Sequence, residues 1–215
     1  MISRIIRSDT IRDIAPEVMG ENEKLKLLPS KEWQKYPWDD FRAFCHIHAR
    51  YGIPTEETVT FIKEIIGDRK CIEIGSGAGD FGHHLGITMT DNKQQEDLSI
   101  VKTYKAMQQP VIKYAKEIVR MDALDAVKTY SPNVVFASWV TTYSPYETTY
   151  GSNPFGIKEP QILDLVDTFI LVGNVDIHGD KPIMNVRHDE YYFDWLVSRG
   201  KNQENNRIWI WDRKR

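Results

Sequence analysis

The sequence predicts an α/β fold built on a doubly wound, mostly parallel sheet of seven or slightly fewer strands, with helices on both faces. Three observations carry this. From about residue 70 onward, short apolar runs of strand length alternate with stretches of helical periodicity. One of those runs, Cys71-Ile-Glu-Ile74, leads directly into a cluster of glycines. The last segment, Arg207-Ile-Trp-Ile-Trp211, alternates strictly and suits a strand with one well-buried face.

Taken in order, residues 1–38 are charged and irregular, punctuated by Pro16, Gly20, Pro29 and Pro37, and read as an extension preceding a domain over 39–215. The aromatic end of that extension, Trp33 to Trp38, is suited to folding over something. Asp39 or Asp40 is placed to cap a helix over Phe41–Arg50, which stops before Gly52 and Pro54. Thr55 caps a second helix: Glu56 and Glu57 stand in its first turn, Val59, Ile62 and Ile66 recur at helical spacing, and Gly67 closes it. Strands are then predicted at Cys71–Ile74, Ile87–Thr90, Ile118–Met121, Asn133–Ala137 and Phe169–Val172. Helices fall between them at Asp80–Leu85, Leu98–Met107, Ala123–Tyr130 and Gln161–Val166, and a further helix is expected near Glu190–Ser198. Sheets of this kind bind ligands outside the carboxyl ends of their strands.

Composition narrows the class. At 215 residues, 41% hydrophobic and 27% charged, the chain has the balance of one soluble domain with a modest extension. The longest apolar runs are of strand length, far short of the roughly 20 residues a membrane helix needs. Arg4, Arg7, Asp9, Arg12 and Asp13 interrupt any apolar core that a secretory signal would require, so a cytoplasmic location is expected. Two cysteines, Cys45 and Cys71, are no disulfide framework. A net charge of −3 gives no basic footprint for nucleic acid, which leaves such a substrate open only through a local patch, and Arg213-Lys-Arg215 is too short to be one.

The glycine cluster admits two cofactors. Gly77-Ala-Gly79-Asp-Phe-Gly82 satisfies the literal G-x-G-x-x-G dinucleotide fingerprint. Its register is off, because the fingerprint expects its first glycine directly after the strand, where Gly75 stands. Asp80 also occupies the helix start, so a pyrophosphate would meet a carboxylate there. Glu73-Ile-Gly75-Ser-Gly77-Ala-Gly79 instead resembles motif I of class I S-adenosylmethionine-dependent methyltransferases, a resemblance extending over roughly residues 55–215.

That likeness implies a Rossmann-like fold and S-adenosylmethionine as cofactor. It implies that Glu73 orients the methionyl amino group, that Gly75, Ser76 and Gly77 bring bare backbone against the cofactor, and that Gly79 starts the next helix. It places Asp91 on the ribose hydroxyls, Asp122 with Ala123 beside the adenine, and Ser138 and Trp139 near the methionyl moiety and the transferable methyl. A carboxylate suits Asp91's place because it accepts from two vicinal hydroxyls at once. The sequence departs from the pattern in one respect: only about eleven residues separate Gly79 from Asp91, so the first crossover helix must be short. Taken singly, Asp91 and Asp122 each also suit the cap of a following turn.

Methyl transfer is an in-line displacement, so a dedicated catalytic residue is optional. The fourth strand does not end in the Asn/Asp-Pro-Pro-aromatic tetrapeptide of base amino-methylating relatives. Candidates for chemistry are Trp139 near the methyl and His178 or Asp176 as general base, both of which also suit turns. The loop Thr141–Gly156, rich in aromatics, Gly and Pro, reads either as a lid or as an insertion packing its own tyrosines. Arg50 offers a guanidinium to a ligand carboxylate or sits at a solvent-facing helix end. Cys45, His46, His48, His83 and His84 form no recognisable ligand pattern, and no metal is expected. The resulting expectation is a methyltransferase acting on a small-molecule acceptor, with a catalytically silent binding module and a nicotinamide oxidoreductase as the competing readings. The oligomeric state is left open.

Overall fold

A seven-stranded sheet organises the chain. The computed structural model describes residues 11–145 and 152–213; residues 1–10, the middle of the Thr141–Gly156 loop at 146–151, and the basic end at Lys214 and Arg215 lie outside them. In chain order the elements are α1 (Ala15–Val18), α2 (Ser30–Gln34), α3 (Trp38–Ile47), β1 (Gly52–Ile53), α4 (Glu56–Ile66), β2 (Cys71–Ile74), α5 (Asp80–Leu85), β3 (Thr88–Asp91), α6 (Leu98–Ala106), β4 (Val119–Arg120), α7 (Ala123–Tyr130), β5 (Val134–Ser138), β6 (Thr142–Tyr143), β7 (Ser152–Asn153), α8 (Glu159–Leu163), β8 (Thr168–Asn174), α9 (Val175–His178), β9 (Asp189–Tyr191), β10 (Val197–Ser198) and β11 (Asn206–Asp212). The central sheet runs β4-β3-β2-β5-β8-β11-β9. β2 to β5 and β8 pair in parallel, while β11 is antiparallel to both β8 and β9. This is the Rossmann-like, doubly wound sheet expected.

Strand parity sorts the core into two layers, because successive side chains point to opposite faces. Ile72, Ile74, Val135, Ala137, Phe169, Leu171, Trp209 and Trp211 pack with α7 and α8 through Ala126, Val127, Ile162 and Leu163. The alternate positions Cys71, Val134, Phe136, Ile170, Val172, Ile208 and Ile210 pack with α4 and α5 through Val59, Ile62, Ile66, Phe81 and Leu85. Burial pushes the Cys71 thiol up to about 12, which keeps it protonated. Trp209 and Trp211 are core residues, with indole N–H groups donating to Glu190 and to the Ile183 carbonyl.

The residues set apart as an extension supply a third cluster: Ile14, Val18, Leu25 and Trp33 are buried against Phe41, Phe44, Cys45 and Ile53. The packing therefore runs continuously across residue 38. The first long helix begins earlier than predicted, at Trp38. Its N-cap position is Pro37, and Asp40 turns instead to accept from the Arg12 backbone N–H at 3.0 Å. α4 follows its prediction to the residue, with the Thr55 hydroxyl accepting from Thr58 N and Gly67 ending it at φ 56°. α8 begins before the predicted Gln161, with Pro160 in its first turn.

The helix expected near Glu190–Ser198 does not form. Tyr191, Phe193 and Trp195 are two residues apart and stack in succession (6.1 Å and 4.2 Å between ring centroids), all three against Phe61. Only Asp189–Tyr191 of this segment is strand; the chain then runs on without helix to a turn at Asp194 and Trp195, where Leu196 N–H donates to the Phe193 carbonyl at 3.2 Å. Among the described residues no helix is long and apolar enough to cross a membrane.

Candidate functional site

The order of the sheet decides where a ligand goes. From β2 the chain proceeds outward to β3 and β4, then returns to β5 on the other side, so the loops leaving β2 and β5 part and leave a crevice at their carboxyl ends. A cavity of about 180 Å³ occupies this place. Glu73, Gly75, Ser76 and Gly77 from the glycine loop line it, as do Asp91 after β3, Asp122 and Ala123 before and within α7, and Ser138 and Trp139 at the end of β5. Residues far apart in sequence, grouped by the resemblance alone, line one cavity.

Each is held for a local reason. Gly75 and Gly77 adopt φ 59° and 56°, which side chains rarely tolerate, and an added Cβ on Gly75 would lie 2.7 Å from Val140 Cγ1. The Gly77 N–H donates to Asp91 Oδ2 at 2.9 Å and the Lys93 N–H to Asp91 Oδ1 at 2.7 Å. Ser76 is tied by its N–H and hydroxyl to the Thr90 carbonyl. Asp122 caps α7 through Leu124 N at 2.9 Å. Both aspartates therefore do what a turn cap does and face the cavity as well; capping consumes one or two lone pairs of a carboxylate and leaves others free.

Glu73 is 2% exposed and accepts from Gly82 N at 3.0 Å. Burial raises its pKa to about 8. The folded protein thus keeps a proton on Glu73 between the ordinary glutamate value and about 8, where the unfolded chain has lost it. Stability is expected to fall as pH rises through that window. Denaturant titrations from pH 5 to 9 should show this slope, and Glu73→Gln should flatten it.

Gly79 starts the following helix, as the resemblance implies, but neither it nor Gly82 touches the cleft. Gly79 starts α5 at φ 77°, and a Cβ on Gly82 would lie 2.3 Å from Met89 Cγ and 2.5 Å from Glu73 Oε2. They let a two-turn helix ride directly on β2 and β3, which is how so short a crossover closes. Gly82→Ala is expected to cost about 1–3 kcal/mol by overpacking, measured by denaturant unfolding.

The strand-end aspartates are joined by an arrangement that changes the meaning of Asp80. Its Oδ2 pairs with Arg50 Nε at 2.9 Å and its Oδ1 accepts from Leu25 N at 3.0 Å, with both partners of the pair buried. Arg50, far from being solvent-facing, also donates to the carbonyls of Glu23 and His48. Asp80 is a neutralised carboxylate, so the electrostatic objection to a pyrophosphate drawn from it does not hold; the register of the glycines still does.

The two proposed general bases are corrected by their positions. His178 is 1% exposed, with Nδ1 at 3.0 Å from both the backbone N and O of Asn174, and its ring meets Trp139 edge-on at 5.2 Å. Burial, helped by the Lys181 charge, lowers its pKa to about 3. It stands behind Trp139 as a packing group, outside the cavity lining. Asp176 accepts from the amides of Asn202 and Asn205 at 2.9 and 2.7 Å and fastens that loop. Trp139 does line the cavity, with φ 55°.

Several lining residues went unread in the sequence. Gln94, Gln95, Tyr104, Ile112 and Tyr114 roof the cavity from the segment between β3 and β4. Gln95 pins it by accepting from Ile112 N at 2.8 Å. A stretch of that length exceeds what a crossover needs, and this was the available signal. Asn153 and Phe155 add the described part of the predicted lid loop. Lys24 had no signal: its buried ammonium donates to the Ala78 carbonyl at 2.8 Å behind the glycine loop and pairs with Glu117. Among the described residues no three His, Cys, Asp or Glu side chains converge to hold a metal.

Fold and site together define a Rossmann-like protein with a ligand cleft at its topological switch point. No family model and no curated protein matches the chain. Its structure is similar to that of SMU.776 in complex with SAH (11% identity, TM-score 0.37, 72% of this chain and 48% of that one). It is also similar to Thermoplasma acidophilum 1320 (14%, 0.37, 80% and 94%). A third is the Pyrococcus abyssi tRNA (uracil-54, C5)-methyltransferase in complex with S-adenosyl-L-homocysteine (10%, 0.36, 80% and 38%). The chain spans about half the length of SMU.776.

Proposed function

We propose that the cleft binds S-adenosylmethionine and that the chain is a methyltransferase. The observation that carries this is the convergence of Asp91, Asp122 and the Gly75–Gly77 backbone on one cavity whose far wall is Ser138 and Trp139. In this reading Asp91 accepts from the ribose hydroxyls, Asp122 and Ala123 receive the adenine, and Ser138 and Trp139 flank the methionyl arm. Glu73 takes the ammonium group. A cation arriving beside a carboxyl of pKa about 8 favours its ionised form, so affinity should rise with pH up to about 8.

The acceptor is a small molecule in this reading, supported by the roof of Tyr104, Tyr114 and Phe155 over the cleft. With His178 and Asp176 outside the lining, the protein supplies position, and the acceptor brings a nucleophile that needs little help with its proton. The same placement favours, as a second reading, a binding module without turnover. Tritiated-methyl transfer into a cell extract, lost on Asp91→Ala, supports the enzyme; tight S-adenosylhomocysteine binding without transfer supports the module. Calorimetry that finds NAD bound and S-adenosylhomocysteine not bound would sink both.

A further inference from the structure

One guanidinium packed on the cavity-lining Tyr51, itself just outside the lining, has an unfilled hydrogen-bonding position. Arg199 follows β10, which pairs with β1 beside the cavity wall, and its backbone N–H donates to the Tyr51 carbonyl at 2.8 Å. Its guanidinium lies over the Tyr51 ring at 4.2 Å. Nη2 reaches Gln109 Oε1 only at 3.5 Å, and Nη1 is buried without a hydrogen-bond partner among the described residues. A buried cationic N–H left in this condition is costly, which calls for an acceptor.

Its surroundings point to a ligand as that acceptor. Tyr51 lines the cavity and packs on Trp139 at 6.0 Å. Gln109 is bonded by its N–H to the carbonyl of Tyr104, another lining residue. Arg199 thus bridges the wall and the roof of the cleft. Within the lining stand Glu73, Asp80, Asp91 and Asp122, and the cation among them, Arg50, is already paired with Asp80. An anionic group on a bound molecule finds no free positive partner among them and must look beyond them.

We infer that Arg199, stacked on Tyr51, is the subsite for a carboxylate carried by a ligand in the cleft. Gln109 Oε1, a neutral acceptor at the limit of bonding distance, holds the place that a carboxylate would fill bidentately. The Tyr51 face holds the guanidinium plane in position, so little order has to be gained on binding. Two molecules bring that chemistry: the cofactor, through its amino-acid end, and the methyl acceptor. The first source rests on the cofactor proposed above.

Calorimetry on the wild type, Arg199→Gln and Gln109→Glu, with S-adenosylhomocysteine and with 5′-methylthioadenosine, which lacks the amino-acid carboxylate, separates the two. If the cofactor is the source, Arg199→Gln weakens S-adenosylhomocysteine at least tenfold and leaves methylthioadenosine unchanged. Gln109→Glu, which fills the fork from within and spares the buried guanidinium, has the same effect and serves where Arg199→Gln fails to fold. If both nucleosides bind the variants as they do the wild type, benzoate is titrated into the S-adenosylhomocysteine-saturated proteins. Benzoate binding that both variants abolish assigns the subsite to the acceptor.

Equal benzoate binding by all three proteins, or none by any, overturns the inference. So does a parallel loss of methylthioadenosine and S-adenosylhomocysteine. Should the wild type bind neither nucleoside, the cofactor reading fails separately, and benzoate binding to the unliganded proteins decides the subsite by the same criterion.

Discussion

Asp91→Ala is expected to weaken S-adenosylmethionine binding by about 100-fold, read by calorimetry against S-adenosylhomocysteine. The carboxylate is 8% exposed, and burial holds its pKa above the ordinary aspartate value. It stays useful because the Gly77 and Lys93 N–H groups donate to it, at 2.9 and 2.7 Å. Alanine removes two things at once: the acceptor proposed for the ribose hydroxyls and the anchor that keeps Gly77 at φ 56°. Asp91→Asn retains one acceptor oxygen but turns an amide toward backbone donors, and a loss of about tenfold is expected. The part-buried Gly77 N–H left unpaired in the alanine variant also costs about 1 kcal/mol of stability, so affinity is to be measured well below the melting transition. Undiminished affinity in a folded Asp91→Ala protein would remove the main support for the cofactor reading.

Lys181→Met should be the most damaging single change to stability, at about 3–5 kcal/mol. The Lys181 ammonium contacts Glu159 at 2.5 Å and Thr142 Oγ1 at 2.6 Å, and the Thr142 hydroxyl donates to Glu159 at 2.9 Å. Glu159 is fully buried, and its second oxygen has no partner among the described residues. Removing the cation leaves that carboxylate with a single hydroxyl for company. Burial already lowers the Lys181 pKa, with Glu159 opposing the shift, so the pair survives by mutual attraction rather than by solvation. By denaturant unfolding, Lys181→Met/Glu159→Leu should recover most of the loss. A double variant as unstable as the sum of the singles would refute the coupling. Thr142 lies within the Thr141–Gly156 loop and Glu159 just after it, next to the cavity-lining Thr141 and Ile157, so the single variant should weaken ligand binding beyond its effect on stability.

Much of the fold was legible because its signals are local. The Thr55 cap, the span of α5 and the span of α7 follow from propensity and capping, whereas the last strand, expected to bury one face, buries both. Where a local pattern had two readings, the sequence erred. A helix is expected near Glu190–Ser198; Phe61, some 130 residues earlier in the chain, instead gathers Tyr191, Phe193 and Trp195 into one aromatic stack on a segment that is strand only to Tyr191. Asp40 looked like a cap until Arg12 claimed its oxygen.

The site divides in the same way. The sequence alone determined the strand–glycine–helix loop, the carboxylates at successive strand ends, and hence the edge of the sheet where a ligand belongs. Tertiary structure alone decided that Asp80 is neutralised by Arg50, that Lys24 braces the glycine loop from behind, that His178 is buried behind Trp139, and that Tyr104 and Tyr114 roof the cleft. The physical reason is common to all four. Backbone conformation is set within a few residues, whereas charge pairing, burial and access depend on partners that only the folded chain brings within a few ångströms.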